Sequence, residues 1–182
     1  MSRIPRTLQE ILPTLIDMGL TTIGGLPAHP LLVHFVVVLV PLSAGLVLCS
    51  VLWPGARRRL GIFPPAIALV TLILVPITTD AGEWLEHNSP HSELIEIHAE
   101  LGDQLLIWSI AVFVFAATSW VLHTNRFTEW RNTRTSLSDS STLLRVVTIA
   151  IAAMAVVAAV GSMVQVYRIG ESGAKAVWQE KS

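Results

Sequence analysis

The chain has 182 residues, 52% of them hydrophobic and 14% charged, with a mean hydropathy of +0.62 and a formal net charge of −1. That balance excludes an ordinary soluble domain, and a near-neutral charge gives no basis for nucleic-acid binding. The lone cysteine, Cys49, excludes an internal disulfide and a covalent c-type haem attachment, and reads as a small apolar residue inside a helix.

Residues 1–28 read as an amphipathic interfacial segment. Thr7 and Glu10 have capping-box spacing, Leu8, Ile11, Leu12, Leu15 and Ile16 share one helical face, and Gly19 is placed to end the helix. Gln9, Glu10, Pro13 and Asp17 interrupt the apolar core that a signal peptide needs. A turn at Gly24-Gly25-Leu26-Pro27 then feeds the first of four apolar runs, His29 to Trp53, followed by Ile62 to Thr79, Leu105 to Val121 and Leu143 to Val166. Each run is near the length that crosses hydrocarbon, about 17–25 residues, and backbone in lipid must satisfy its own hydrogen bonds. The expectation is an all-α integral membrane four-helix bundle over residues 29–167, with a short N-terminal interfacial helix before it and a C-terminal tail at 168–182.

Arg57, Arg58 and Arg59 lie between the first two runs, and Arg126, Arg131 and Arg134 between the last two, with Arg145 just beyond. The segment from Ala81 to Gly102 has no Lys or Arg, but carries Glu83, Glu86, Glu93, Glu96 and Glu100. The positive-inside rule puts the basic loops in the cytoplasm and both termini outside, although Arg3, Arg6, Arg168, Lys175 and Lys181 vote weakly the other way. Trp53, Trp84 and Trp130 fall at or near the interfaces, as an aromatic belt requires. Trp178 closes a segment after Tyr167 that either lies at the interface or folds back over the outer layer.

Five of the six histidines, His29, His34, His87, His91 and His98, fall on the outer side of this topology. Counting inward from the cytoplasmic helix ends places His34 beside Asp80 and Asp103 in one layer, and His29 level with His98 in a second, within about one helical turn of roughly 5 Å. Such layers fit three chemistries. Two histidines on different helices can hold a b-type haem axially, and Gly102, one turn after His98, would let a flat macrocycle approach. His and carboxylate ligands suit a divalent metal, with His34 and His98 as ligands and the His87/His91 pair beside them. His34, Asp80 and Asp103 could instead pair with one another as a polar cluster that joins helices. No nucleophile, general base or phosphate loop stands out, so nothing marks the chain as an enzyme.

The run His29-Pro30-Leu31-Leu32-Val33-His34-Phe35, with Asp80, His98 and the terminal Gly170-Glu171-Ser172-Gly173-Ala174-Lys175-Ala176-Val177-Trp178, resembles the bacterial membrane family called domain of unknown function 2231. The resemblance covers about residues 25 to 178, and departs where members have proline after the phenylalanine; here Val36 stands there and the proline comes at Pro41. The family has no established activity. Its occurrence beside Rieske iron–sulfur or c-type cytochrome modules implies a redox setting, redox protein partners and a bacterial cytoplasmic membrane location. On that ground the expectation is haem b near the outer face, as an electron-transfer or anchoring subunit, monomeric or oligomeric. His34 and His98 are the first ligand pair by motif and His29 and His98 by depth, with Asp80 and Asp103 orienting an imidazole or a propionate. The alternatives are a non-redox scaffold and a metal-handling protein.

Overall fold

A computed structural model describes residues 21–23, 25–124 and 140–179, and the interfacial helix expected before Gly19 lies outside them. A two-residue antiparallel ladder, β1 (Thr22–Ile23) and β2 (Leu26–Pro27), makes the entry turn. Gly25 sits at φ +81°, a left-handed conformation that a side chain disfavours. The turn closes on Ala28, which is fully buried and donates its N–H to the Thr21 carbonyl at 2.8 Å.

Among the described residues five helices follow: α1 (His29–Leu52), α2 (Pro54–Leu60), α3 (Phe63–His87), α4 (Glu93–Leu122) and α5 (Ser140–Gln179). Prolines open α1, α2 and α3 within their first two positions, where the missing N–H has no helical partner to lose. Glu93 and Glu96 sit in the first turn of α4, complementing its dipole. Four of the helices, all but α2, are long and apolar enough to span a membrane. Only 22–33% of each apolar window is buried, so most of the apolar surface faces outward, where lipid rather than water must cover it.

The helices run on past the apolar sequence at one end. α3 continues to His87 and α4 starts at Glu93, so the expected acidic loop between the second and third spans is mostly helix. α5 continues unbroken to Gln179, and the segment after Tyr167 extends the span instead of folding back. The reason is physical: hydropathy reports where lipid lies, while the helical hydrogen-bond ladder continues wherever no proline or left-handed residue stops it, and Gly170 and Gly173 keep negative φ.

In cross-section α1, α3, α4 and α5 form a ring in that order, each packed on the next and α5 back on α1. The second hairpin, α4–α5, repeats the first, α1–α3. Apart from Ala44, the buried residues of α1 stand seven, eleven, fourteen, eighteen and twenty-one positions after His29 (Val36, Val40, Ser43, Val47, Ser50), and those of α4 stand at the same spacings after His98 (Leu105, Ser109, Val112, Ala116, Ser119). Counting back from Gly82 in α3 and Gly173 in α5 pairs Pro64 with Ala155, Ala68 with Ala159 and Thr71 with Ser162, all buried. This is the pattern of an approximate two-fold along the bundle axis.

The core has two apolar clusters. Val36, Val40, Val75 and Leu105 lie toward the histidine end, and Val47, Ala68, Val112, Ala116, Ala155 and Ala158 toward the basic end. At mid-bundle Ser43, Thr71, Ser109 and Ser162 surround a gap too tight for a water molecule. Each hydroxyl donates to a carbonyl of its own helix at 2.8–2.9 Å, which removes the cost of an unpaired donor in hydrocarbon.

Candidate functional site

The imidazoles divide into two kinds by what their Nδ1 atoms do. His34, His87 and His123 donate to the carbonyl four residues back on their own helix, Pro30, Glu83 and Ser119 respectively. His29 and His98 reach across to another helix. His29 Nδ1 donates to the Thr78 carbonyl of α3 at 2.9 Å. His98 Nδ1 donates to the Ile169 carbonyl of α5 at 3.1 Å and to Ser172 Oγ at 3.0 Å, while Ser172 Oγ itself donates to Ile169 at 2.9 Å.

Both reaches depend on a glycine four residues after the accepting carbonyl. A Cβ on Gly82 would lie 2.9 Å from His29 Cε1 and Nδ1, and a Cβ on Gly173 would lie 3.0 Å from His98 Cε1. Any other residue would fill the space that the ring occupies above the carbonyl. The two notches, Thr78/Gly82 and Ile169/Gly173, are equivalent positions of the two hairpins, and they bring the rings to the same level. The ring centroids are 6.3 Å apart with an interplanar angle of 87°, an edge-to-face meeting between α1 and α4 across the bundle.

A neutral imidazole that donates from Nδ1 keeps its lone pair on Nε2, the atom that ligates metals. Backbone carbonyls therefore set both rings in the ligating tautomer, as the outer partners of metal-bound histidines commonly do. Two imidazoles that hold one ion from opposite sides, each through a bond of about 2 Å, have centres roughly 6 Å apart. The 6.3 Å between the His29 and His98 ring centroids is of that size. Among the described residues no group of three His, Cys, Asp or Glu side chains is placed to hold a bare ion.

The other candidates lie apart from this pair. His34, Asp80 and Asp103 are exposed on the bundle surface, and the ion pair that forms among the described residues is Lys175–Glu171, at 2.7 Å. His34 follows His29 by five residues, which turns it about 140° round α1, away from the interior. His87 and His91 are exposed, His91 in the short connection between α3 and α4. Gly102 faces the Thr79 methyl, 3.8 Å from where its Cβ would stand. Sequence reasoning misses Gly82 and Thr78 and gives Ser172 and Gly173 no role beyond the terminal run; the signal for them is a histidine near the start of one helix matched to a glycine near the end of the next.

Comparison with protein families is decisive at one level. The model of a predicted membrane protein family, DUF2231, matches residues 25–182. The chain belongs to DUF2231. No curated protein and no solved structure matched it. The DUF2231 match begins at the entry turn and takes in both hairpins, so both notches lie within the family's domain.

Proposed function

We propose that this DUF2231 protein is a multi-pass subunit of a bacterial cytoplasmic membrane that binds haem b between His29 and His98 and serves electron transfer or anchors a redox complex. The observation that carries the reading is the His29–His98 pair itself: two imidazoles from different helices, each tethered through Nδ1 to a backbone carbonyl, at a 6.3 Å separation suited to axial ligation. A bound haem would supply one-electron chemistry. The chain's own residues hold the two rings, fix their tautomers and surround them with helix. By charge the histidine end faces out of the cell, since Arg57, Arg58, Arg59 and Arg145 lie at the other end. That face is where a Rieske or c-type cytochrome partner would meet it. Asp80 and Asp103 are both exposed, and the Nδ1 partners of the imidazoles are instead Thr78, Ile169 and Ser172.

The test is a reduced-minus-oxidised visible spectrum of the purified protein expressed with haem supply. Soret and alpha bands are expected in the wild type and in His34→Ala, and are expected to vanish in His29→Ala and His98→Ala. A featureless spectrum from folded protein would sink the haem reading. It would favour a scaffold, supported by the same hydrogen bonds: His29 ties α1 to α3 and His98 ties α4 to α5, each at roughly 0.6–2 kcal/mol for an interhelical bond in lipid.

A further inference from the structure

The end of the bundle away from the His29–His98 pair has a crevice of about 240 Å³ between α1, α4 and α5. Its polar lining is Arg57, Ser119, His123 and Thr148, and Val51, Leu122 and Ile151 form apolar walls. The closed inner part has room for about one water-sized group and the rest opens sideways, so the crevice receives part of a ligand whose remainder lies outside.

Among the described residues the carboxylates are confined to one end of the bundle, an end that also carries Arg168 and Lys175. Every described carboxylate, from Asp80 through Asp103 and again at Glu171, lies at the histidine end. Arg57, Arg58, Arg59 and Arg145 lie at the other end with no described carboxylate near them. Arg57 is the member of this set that lines the crevice, half-buried, while its neighbours Arg58 and Arg59 are exposed. The depth is that of lipid headgroups: Trp53 is 60% and Trp120 37% exposed at the same level, where tryptophans mark the membrane–water boundary.

We propose that this crevice binds an anionic phospholipid of the surrounding leaflet, its phosphate on the Arg57 guanidinium and the first part of an acyl chain against Val51, Leu122 and Ile151. A fixed cation beside an apolar slot matches an amphiphile with an anionic head, and basic pockets between membrane helices bind such lipids. A free phosphate would use the cation and leave the slot empty. The proposal does not depend on the histidine pair.

Native mass spectrometry of the delipidated full chain in detergent, titrated with phosphatidylglycerol, phosphatidylcholine or inorganic phosphate, tests it. Phosphatidylglycerol is expected to bind one equivalent at least about fivefold more tightly than phosphatidylcholine. Arg57→Gln is expected to abolish that preference and Arg59→Gln to keep it. Ala152→Leu, which narrows the crevice without changing charge, is expected to weaken phosphatidylglycerol binding as well. Equal losses in Arg57→Gln and Arg59→Gln would mean diffuse attraction and overturn the site. So would equal binding of the two lipids. Full competition by inorganic phosphate would reassign the crevice to a free anion. Should Arg57→Gln fail to fold, Ala152→Leu against Arg59→Gln decides the matter.

Discussion

The two hairpins hold their histidines in the same way and pack their middles differently. At Gly82 and Gly173 the notches are alike, but beside them the first hairpin has buried Ala81 where the second has Ser172, so only His98 gains a side-chain partner. Further down, the second hairpin seats the Trp108 ring on Gly161, where an added Cβ would lie 2.1 Å from the ring. The equivalent positions of the first hairpin are Leu39 and Val70, two side chains of middling size. The first hairpin also carries a proline inside each helix, Pro41 and Pro76. One backbone plan thus carries a large–small pair at this level in one half and two medium residues, Val70 exposed, in the other.

The sharpest way to break this correspondence is Gly161→Val. At 2.1 Å either the Trp108 ring leaves its seat or α4 and α5 separate, and loss of about 3 kcal/mol of stability is expected from overpacking. Adding Trp108→Leu installs the first hairpin's residue pair in the second. Unfolding midpoints in detergent should show the double variant recovering most of the loss, and a double variant as unstable as Gly161→Val would refute the equivalence.

Next in size are Gly82→Ala and Gly173→Ala. Each added methyl lies 2.9–3.0 Å from an imidazole, so the ring must shift off its carbonyl, at an expected cost of about 1–2 kcal/mol. The distinctive readout is nitrogen NMR of labelled histidine, in which the Nδ1–H tautomer of His29 or His98 should give way to a mixture. Unchanged tautomers would show that the glycines serve helix packing alone.

The smallest effect tests the asymmetry between the halves. Ser172→Ala should cost about 0.5–1.5 kcal/mol and loosen His98, because one of its two acceptors is gone while the Ile169 carbonyl remains. Ala81→Ser should offer His29 the same second acceptor. If Ala81→Ser stabilises and Ser172→Ala destabilises by similar amounts, the halves are interchangeable at this level; opposite or unequal shifts would place the difference in the surrounding packing.

The four spans were legible because lipid demands long apolar runs, and the sequence has four. Their ends were not, since Glu93 to His98 and Tyr167 to Trp178 are polar enough to read as loop or tail yet remain helical. Counting residues along helices put His29 level with His98, and the structure brings those two rings together. The motif drew attention to His34, whose rotation about α1 leaves it exposed. Residue spacing carries depth, but azimuth round a helix emerges only once the packed faces are known. The repeat was hidden for a related reason: Val40 matches Ser109 and Ser43 matches Val112, so the register recurs while the letters do not.

α5 is 40 residues long, about 60 Å of continuous helix against roughly 30 Å of hydrocarbon. One rigid rod therefore supplies Ile151 to the basic crevice and, on the far side of the membrane, the Ile169 carbonyl and Gly173 to His98. A stiff element of that kind transmits axial displacement with little attenuation. A slide of α5 by a single residue, about 1.5 Å, would reach both ends at once, unseating the imidazole in one leaflet as it reshapes the crevice in the other.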